Sequence, residues 1–353
     1  MTTVDNLVKD VRPSAAGLPE DLHGQRLLLL AASGRLAQVV HVLVELRIAD
    51  LIGDGSRPVS ELAAESGAHE LSLYRVLRGA ASVGIFAEGP AKVFSGTPLS
   101  DGLRSDNQGG LLPLVKYNLM DLTRRPYGEI MHSVRTGEPA FGQVYGKTFF
   151  EHLEEAPEEG EFFERFMMHF SRQLVLTDLP GFGLDRFARI ADLGGGDGWF
   201  LAQVLRRNPA GTGVLLDLPR VISSSGPVLD EAGVADRVTV VPGDFFTEPI
   251  PADCDAYLLK AVLHNWSDEK ALRLLCRVRE VVGDRDAHLL VWDQVMSPEN
   301  EWDHAKFLDL DMLVLFGGRE RTLSEWNTLF DAAGFELVNE PECSWVMLEC
   351  RAK

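Results

Sequence analysis

Residues 188–198 read Ala-Arg-Ile-Ala-Asp-Leu-Gly-Gly-Gly-Asp-Gly, an apolar run that ends in an acid and a glycine cluster. Gly194, Gly196 and Gly198 lack a Cβ, so the chain can turn sharply and a ligand can come close to the backbone. Trp199–Arg207 then presents one apolar face and stops at Asn208-Pro209, as a helix does, with its free N-terminal amides aimed back at the glycines. The next apolar run, 213–217, closes on Asp217, an acid placed to hold a ribose diol. The spacing separates two nucleoside cofactors. Dinucleotide folds carry G-x-G-x-x-G, whereas Asp192-x-Gly194-x-Gly196-x-Gly198 is one residue tighter and sets an acid before the first glycine. That acid repels a pyrophosphate and suits an ammonium or sulfonium group, which favours S-adenosylmethionine over a nicotinamide dinucleotide.

A second constellation lies at Leu258-Leu-Lys-Ala-Val-Leu-His-Asn-Trp-Ser-Asp-Glu, where His264 falls in the loop past a strand end. Histidine is the side chain best poised to take a proton near neutral pH. A lone histidine is more often a core residue, but this one shares the sheet edge with the glycine loop and so is a candidate base. Asp293, closing another apolar run, and Glu320, within Gly317-Gly-Arg-Glu-Arg-Thr322, are acids able to fix its tautomer and stabilise its charged form.

The elements that must position these residues alternate after Gly181. Apolar runs at 190–193, 213–217, 238–242, 255–260 and 288–293 read as strands, with helices between them. One helix spans 267–282, with Ser267 as its N-cap and Asp268 and Glu269 in the first turn, where the helix dipole favours acids. Segments 335–339 and 345–349 read as a closing antiparallel pair. The expectation is an α/β fold with an open, Rossmann-like sheet of seven mostly parallel strands. Ligands bind such sheets at the strands' carboxyl ends, which is where Asp192, Asp217, Lys260 and Asp293 are expected.

The front half reads as helical. Leu27–Leu46 is apolar at helical spacing and is expected to be buried on most sides. Ser60 is the expected cap of a short helix that stops at Gly67, and a second helix runs from Leu71 to about Gly84. Segments 85–88 and 92–95 around Gly89-Pro90 read as two short strands, completing a winged-helix pattern. That pattern raises DNA binding. The second helix carries only Arg75 and Arg78, however, and the 353-residue chain has a net charge of −19, so packing and dimerisation is the better reading. The segment 162–170, rich in Phe and Met, is either core or the wall of a flat apolar pocket.

The length implies two domains, taken here as 1–180 and 181–353. The acidic balance argues against nucleic-acid and anionic-membrane partners, and no run reads as long enough to span a bilayer. Met1–Lys9 lacks a signal-peptide core, and Cys254, Cys276, Cys343 and Cys350 lack metal-ligand spacing, as expected of reduced thiols in a cytoplasmic protein. Cys343 and Cys350 can be neighbours on one terminal strand.

These motifs resemble S-adenosylmethionine-dependent O-methyltransferases of the caffeate and hydroxyneurate type, in their bacterial natural-product branch. The matching segments are 192–198, 217–222 (Asp-Leu-Pro-Arg-Val-Ile), 243–246 (Gly-Asp-Phe-Phe), Leu259-Lys260, 264–268 (His-Asn-Trp-Ser-Asp) and 317–322, in the family's order. The front half resembles the family's dimerisation domain more loosely. The resemblance implies that Gly194, Gly196 and Gly198 line the methionine part of the cofactor, with Asp192 before them. Asp217 and Leu218 would sit at the ribose, Asp244 and Phe245 at the adenine, and Lys260 nearby. His264 would be the general base, held by Asp293 and Glu320, with no metal. Phe163, Met167, Met168, Met312 and Phe316 would wall an aromatic acceptor. The product would be S-adenosylhomocysteine and the assembly a homodimer. Two departures stand out. Asn265 follows the base where the family often has Asp, and Asp293 stands where many members have Glu. The same resemblance leaves open a methyltransferase-like fold that hydroxylates or decarboxylates; retention of the base His264 argues for transfer.

Overall fold

A computed structural model of the chain describes residues 20–107, 109–339, 341 and 344–353, without the side chains of 20–23, 25, 26, 168–178, 180 and 344. The described residues divide into two compact units, 20–128 with 156–169, and 129–155 with 170–353.

The first unit is built on a long helix, Glu20–Glu45, followed by helices Val59–Ser66 and Glu70–Ala81. Strands β1 (Ser56–Pro58), β2 (Ala87–Gly89) and β3 (Val93–Ser95) form a small antiparallel sheet in the order β1-β3-β2. Leu43, Ile48, Leu62, Leu73, Leu77, Phe86 and Phe94 make its core. The winged-helix expectation thus gains a third strand. Ser60 does not cap the first short helix, which starts at Val59 after an extended Pro58 and has no side-chain cap. Arg57 and Pro58 are committed to pairing with β3, so the helix must begin at the next residue, and Ser60 falls inside its first turn.

The long helix corrects two further expectations. Leu27, Leu28, Leu29 and Leu30 are 52–71 % exposed, so this stretch is not covered on most sides within one chain. Its segment Leu27–Glu45 is also long and apolar enough, by length and composition alone, to cross a membrane.

The second unit is a mostly parallel sheet in the order β10-β11-β8-β7-β4-β5-β6. The strands are β4 (Arg189–Leu193), β5 (Thr212–Asp217), β6 (Val238–Pro242), β7 (Ala256–Lys260), β8 (His288–Met296), β10 (Phe335–Leu337) and β11 (Ser344–Ala352). The two-residue β9 (Arg321–Thr322) adds an eighth strand beside β8. Strands β4, β5 and β7 are almost wholly buried, as their continuous apolar runs require when helices cover both sheet faces. Strand β11 runs antiparallel to both neighbours, so the closing pair is as expected. The chain runs from β4 outward through β5 and β6 on one side, then crosses back to β7 on the other side of β4, which makes the end of β4 the switch point where open α/β sheets bind ligands. The glycine loop sits at this point. Strand β8 runs past Asp293 to Met296, because β11 and β9 supply partners for Val295 and Met296. Asp293 therefore lies within a strand and not at its end. Cys254, Cys276 and Cys350 are free thiols, while Cys343 lies outside the described residues.

Candidate active site

The glycine loop needs its glycines for two different reasons. Gly194, Gly196 and Gly198 have φ of +77°, +65° and +78°, a region L side chains rarely adopt. Gly195 has ordinary backbone angles but no room. A Cβ there would lie 2.5 Å from a Leu215 methyl and 2.6 Å from the Asp192 carboxylate. Asp217 organises the loop: one carboxylate oxygen accepts the Gly196 amide at 2.8 Å and the other the Leu218 amide at 2.7 Å. Phe245 and Val262 press on Gly194 from the other side, and Asp244 accepts the Phe246 amide at 2.8 Å. Leu218 is exposed beside Asp217.

Asp192 lies beneath this loop, buried, with neither carboxylate oxygen hydrogen-bonded. Burial pushes its carboxyl up to about 7, against the pull of the Lys260 charge. Lys260, on neighbouring β7, is itself lowered to about 8 by burial, opposed by Asp192, Asp197 and Asp293. Its Nζ stands 5.1 Å from the Trp292 ring centre and 5.8 Å from that of Phe200. An orphaned buried carboxylate under a Cβ-free cradle is a site fitted to a cationic ligand group.

His264 sits in a single 3₁₀ turn, Leu263–Asn265, directly after β7. Ala261 enters that turn at φ +53°, a strained conformation for alanine, with its amide donated to the Trp292 carbonyl of β8 at 2.8 Å. Nδ1 donates to Glu320 Oε1 at 2.8 Å and lies 3.4 Å from Asp293 Oδ1. The other Asp293 oxygen accepts the His264 backbone amide at 3.3 Å. The shorter Asp293 arm thus reaches the base through both ring and backbone. Asn265 donates to the Ala261 carbonyl at 3.1 Å and so serves the loop. Burial opposes charge on the ring, but the Asp293 and Glu320 charges and the Glu320 hydrogen bond overcome it and push His264 to about 9. Burial raises both carboxyls as well.

His264, Asp293 and Glu320 are also donors a divalent cation could use, with atoms within 4.8 Å of one another. The 2.8 Å separation from Glu320 is that of an N–H facing a carboxylate.

The acceptor candidates fall in both units. In the first, Phe163 packs on Tyr117 with ring centres 6.0 Å apart, and Met167 is half-buried on the same helix. The Met168 side chain lies outside the described residues. In the second, Met312 is buried in a single π-turn, Met312–Phe316. Phe316 packs on Phe149 at 4.6 Å and on Phe150 at 5.9 Å. Gly195 and Arg321 fall inside the matching segments 192–198 and 317–322 but carry no role of their own in the sequence.

A switch-point glycine cradle, an acid at the end of the next strand and a carboxylate-held histidine are parts that a nucleoside-dependent group-transfer enzyme needs. Comparison with known proteins makes the class specific. The family model for the O-methyltransferase domain matches residues 127–336, and that for the O-methyltransferase dimerisation domain matches residues 28–106. The chain belongs to the O-methyltransferase family. It is 37 % identical over 346 residues to 8-amino-8-demethylriboflavin N,N-dimethyltransferase of Streptomyces davaonensis, covering 97 % of this chain and 99 % of the relative. The solved mitomycin 7-O-methyltransferase matches with a TM-score of 0.84 and 33 % identity, over 94 % of this chain and 98 % of that one. An O-methyltransferase from neocarzinostatin biosynthesis, solved with S-adenosylmethionine and 2-hydroxy-5-methyl naphthoic acid, matches with a TM-score of 0.78 and 32 % identity, over 90 % and 96 %. The dimerisation match covers the helices and small sheet that had raised DNA binding.

Proposed function

We propose that this enzyme methylates a phenolic hydroxyl of an aromatic natural-product intermediate, with S-adenosylmethionine as donor, S-adenosylhomocysteine as product and His264 as general base. The observation that carries this reading is the Nδ1–Glu320 hydrogen bond. It commits one ring nitrogen to a carboxylate and leaves Nε2 as the nitrogen that can take a proton. When bound, the cofactor supplies a sulfonium methyl that an attacking oxygen displaces in line. The protein's part is to hold and deprotonate. Asp217 and Leu218 would take the ribose, Asp244 and Phe245 the adenine, and the glycine loop with Asp192 the cationic methionine end, with Lys260 as the balancing charge. A phenol ionises near 10, so a positioned base contributes about 10²–10⁴-fold.

Phe163, Met167, Met168, Met312 and Phe316 would give the acceptor flat apolar walls. Residues 1–180 would dimerise and cover the acceptor while 181–353 bind the cofactor. A cytoplasmic location belongs to the same reading, supported by the free thiols. The aromatic substrates named for relatives such as the naphthoate enzyme support the acceptor class. The riboflavin-type N,N-dimethyltransferase favours a second acceptor, an aryl amine. A neutral amine attacks without prior deprotonation, so a carboxylate-held base is the feature that favours the hydroxyl. Calorimetry and turnover with the His264→Ala variant test this. Retained cofactor affinity with turnover reduced about 10²-fold or more supports it, whereas undiminished turnover on a phenolic acceptor overturns it. A product carrying no added methyl would point instead to hydroxylation or decarboxylation.

A further inference from the structure

Segment 317–321 is fastened against the turn that bears the base, at several points. Gly317 leaves the π-turn at φ +79°. Gly318 lies so close to the His264 carbonyl and the Asn265–Trp266 peptide that a Cβ would fall onto them. Arg319 donates its backbone amide to the His264 carbonyl at 2.9 Å, and Asp309 accepts the Glu320 amide at 2.8 Å. Arg321 completes the attachment. Its side chain is 1 % exposed, an unusual place for a guanidinium. One terminal nitrogen donates to the Leu263 carbonyl at 3.2 Å, the other to the Trp266 carbonyl at 3.1 Å. Nε and one terminal nitrogen also reach Asp268 Oδ1 at 3.0 and 2.8 Å.

These contacts bracket the base. Leu263 precedes His264, Trp266 follows it, and Asp268 opens the helix Asp268–Val282. A planar fork with five donors can hold three acceptors in fixed directions, which an ammonium cannot. We infer that Arg321 is a positioning residue for methyl transfer, which sets the attitude of His264 by clamping both ends of its turn without touching either substrate. The inference rests on His264 being the base.

The test uses the full-length enzyme with an accepted phenolic acceptor. Arg321→Lys keeps the charge and loses the fork. It is expected to lower kcat about tenfold or more, since small misplacements of a reacting group are costly. S-adenosylmethionine affinity by calorimetry is expected to stay within about twofold, because none of the Arg321 contacts reaches the glycine loop. Placed in the His264→Ala background, the same substitution is expected to change residual turnover less than about threefold. An equal fall in both backgrounds, or wild-type kcat for Arg321→Lys, overturns the inference. If Arg321→Lys does not fold, Asp268→Asn decides. That partner is 57 % exposed, and a fall in kcat confined to the His264 background supports the role, while unchanged kcat overturns it. Full turnover by His264→Ala itself refutes the base assignment and is read separately from these arms.

Discussion

His264 and Glu320 meet through a single 2.8 Å hydrogen bond at Nδ1, in a place where both side chains are almost fully buried. The second Glu320 oxygen has no hydrogen-bond partner, so the carboxylate depends on the imidazole ring for its charge balance. The same dependence works in reverse. With its carboxylates present, the ring is pushed up to about 9 against the opposing effect of burial. Below that value the ring is mostly imidazolium and cannot accept a proton. The free enzyme should therefore gain kcat/KM as pH rises toward 9. The sign for folding is opposite: this protonation stabilises the fold fully below the unfolded value near 6.5 and is lost as pH rises through 9.

Glu320→Gln removes one charge and the charge-assisted acceptor while keeping the shape. With burial then weighing more heavily, the rising limb of kcat/KM against pH is expected to move below that of wild type. The plateau should fall on the order of 10²-fold, because the tautomer is less firmly fixed. A pH–rate profile measured over pH 6–10 checks this. An unmoved limb would mean that Glu320 does not set the charge of the base.

Gly195→Ala tests the cradle at a position where torsion is not the issue. The added methyl meets Leu215 and Asp192 at 2.5 and 2.6 Å. Overpacking of this kind costs about 1–3 kcal/mol. The variant is expected to melt lower and to bind S-adenosylmethionine at least about tenfold more weakly. Scanning calorimetry with and without cofactor reads both effects, and a variant with wild-type affinity would place the cofactor elsewhere.

The donor set of His264, Asp293 and Glu320 also calls for a chelation experiment. The 2.8 Å separation of Nδ1 from Glu320 fits a proton shared between the two, while the same three side chains offer atoms close enough to hold an ion. Dialysis against EDTA is expected to leave turnover within about twofold. Loss of turnover restored by a divalent cation would reassign the cluster to a metal.

The parts of the site that were legible in the sequence are those governed by local rules. Gly194, Gly196 and Gly198 stand where the backbone needs positive φ, and Asp217 and His264 lie at or just past the ends of short continuous apolar runs that mark buried strands. Gly195 left no such mark, because what excludes a side chain there is Leu215 on another strand. Arg321 was equally hidden. An arginine in a polar segment reads as surface, and the carbonyls it holds lie 58 and 55 residues away in sequence. Asp293 was placed at a strand end because its apolar run stops there, but pairing with β11 and β9 carries the strand further. Strand β1, three residues long and containing Pro58, is too short for any periodic signal.

The exposed leucines of the first helix make the last prediction. Leu27, Leu28, Leu29 and Leu30 leave apolar surface open in one chain, and the match to an O-methyltransferase dimerisation domain begins at residue 28. Burying such side chains in a partner subunit removes about 25 cal/mol of unfavourable hydration per Å² of apolar surface. The expected state is therefore a homodimer at micromolar concentration. Leu28→Glu combined with Leu30→Glu places two charges in that contact, where unpaired burial is strongly unfavourable. Light scattering should then report a shift toward monomer, with the second unit still folded by circular dichroism. A wild-type chain that is monomeric under these conditions, or a double variant that stays dimeric, would show that the leucines are not the contact. Vesicle flotation of the wild type separates the remaining option, since Leu27–Glu45 is apolar enough for a bilayer: a dimer that does not float assigns the helix to the subunit interface.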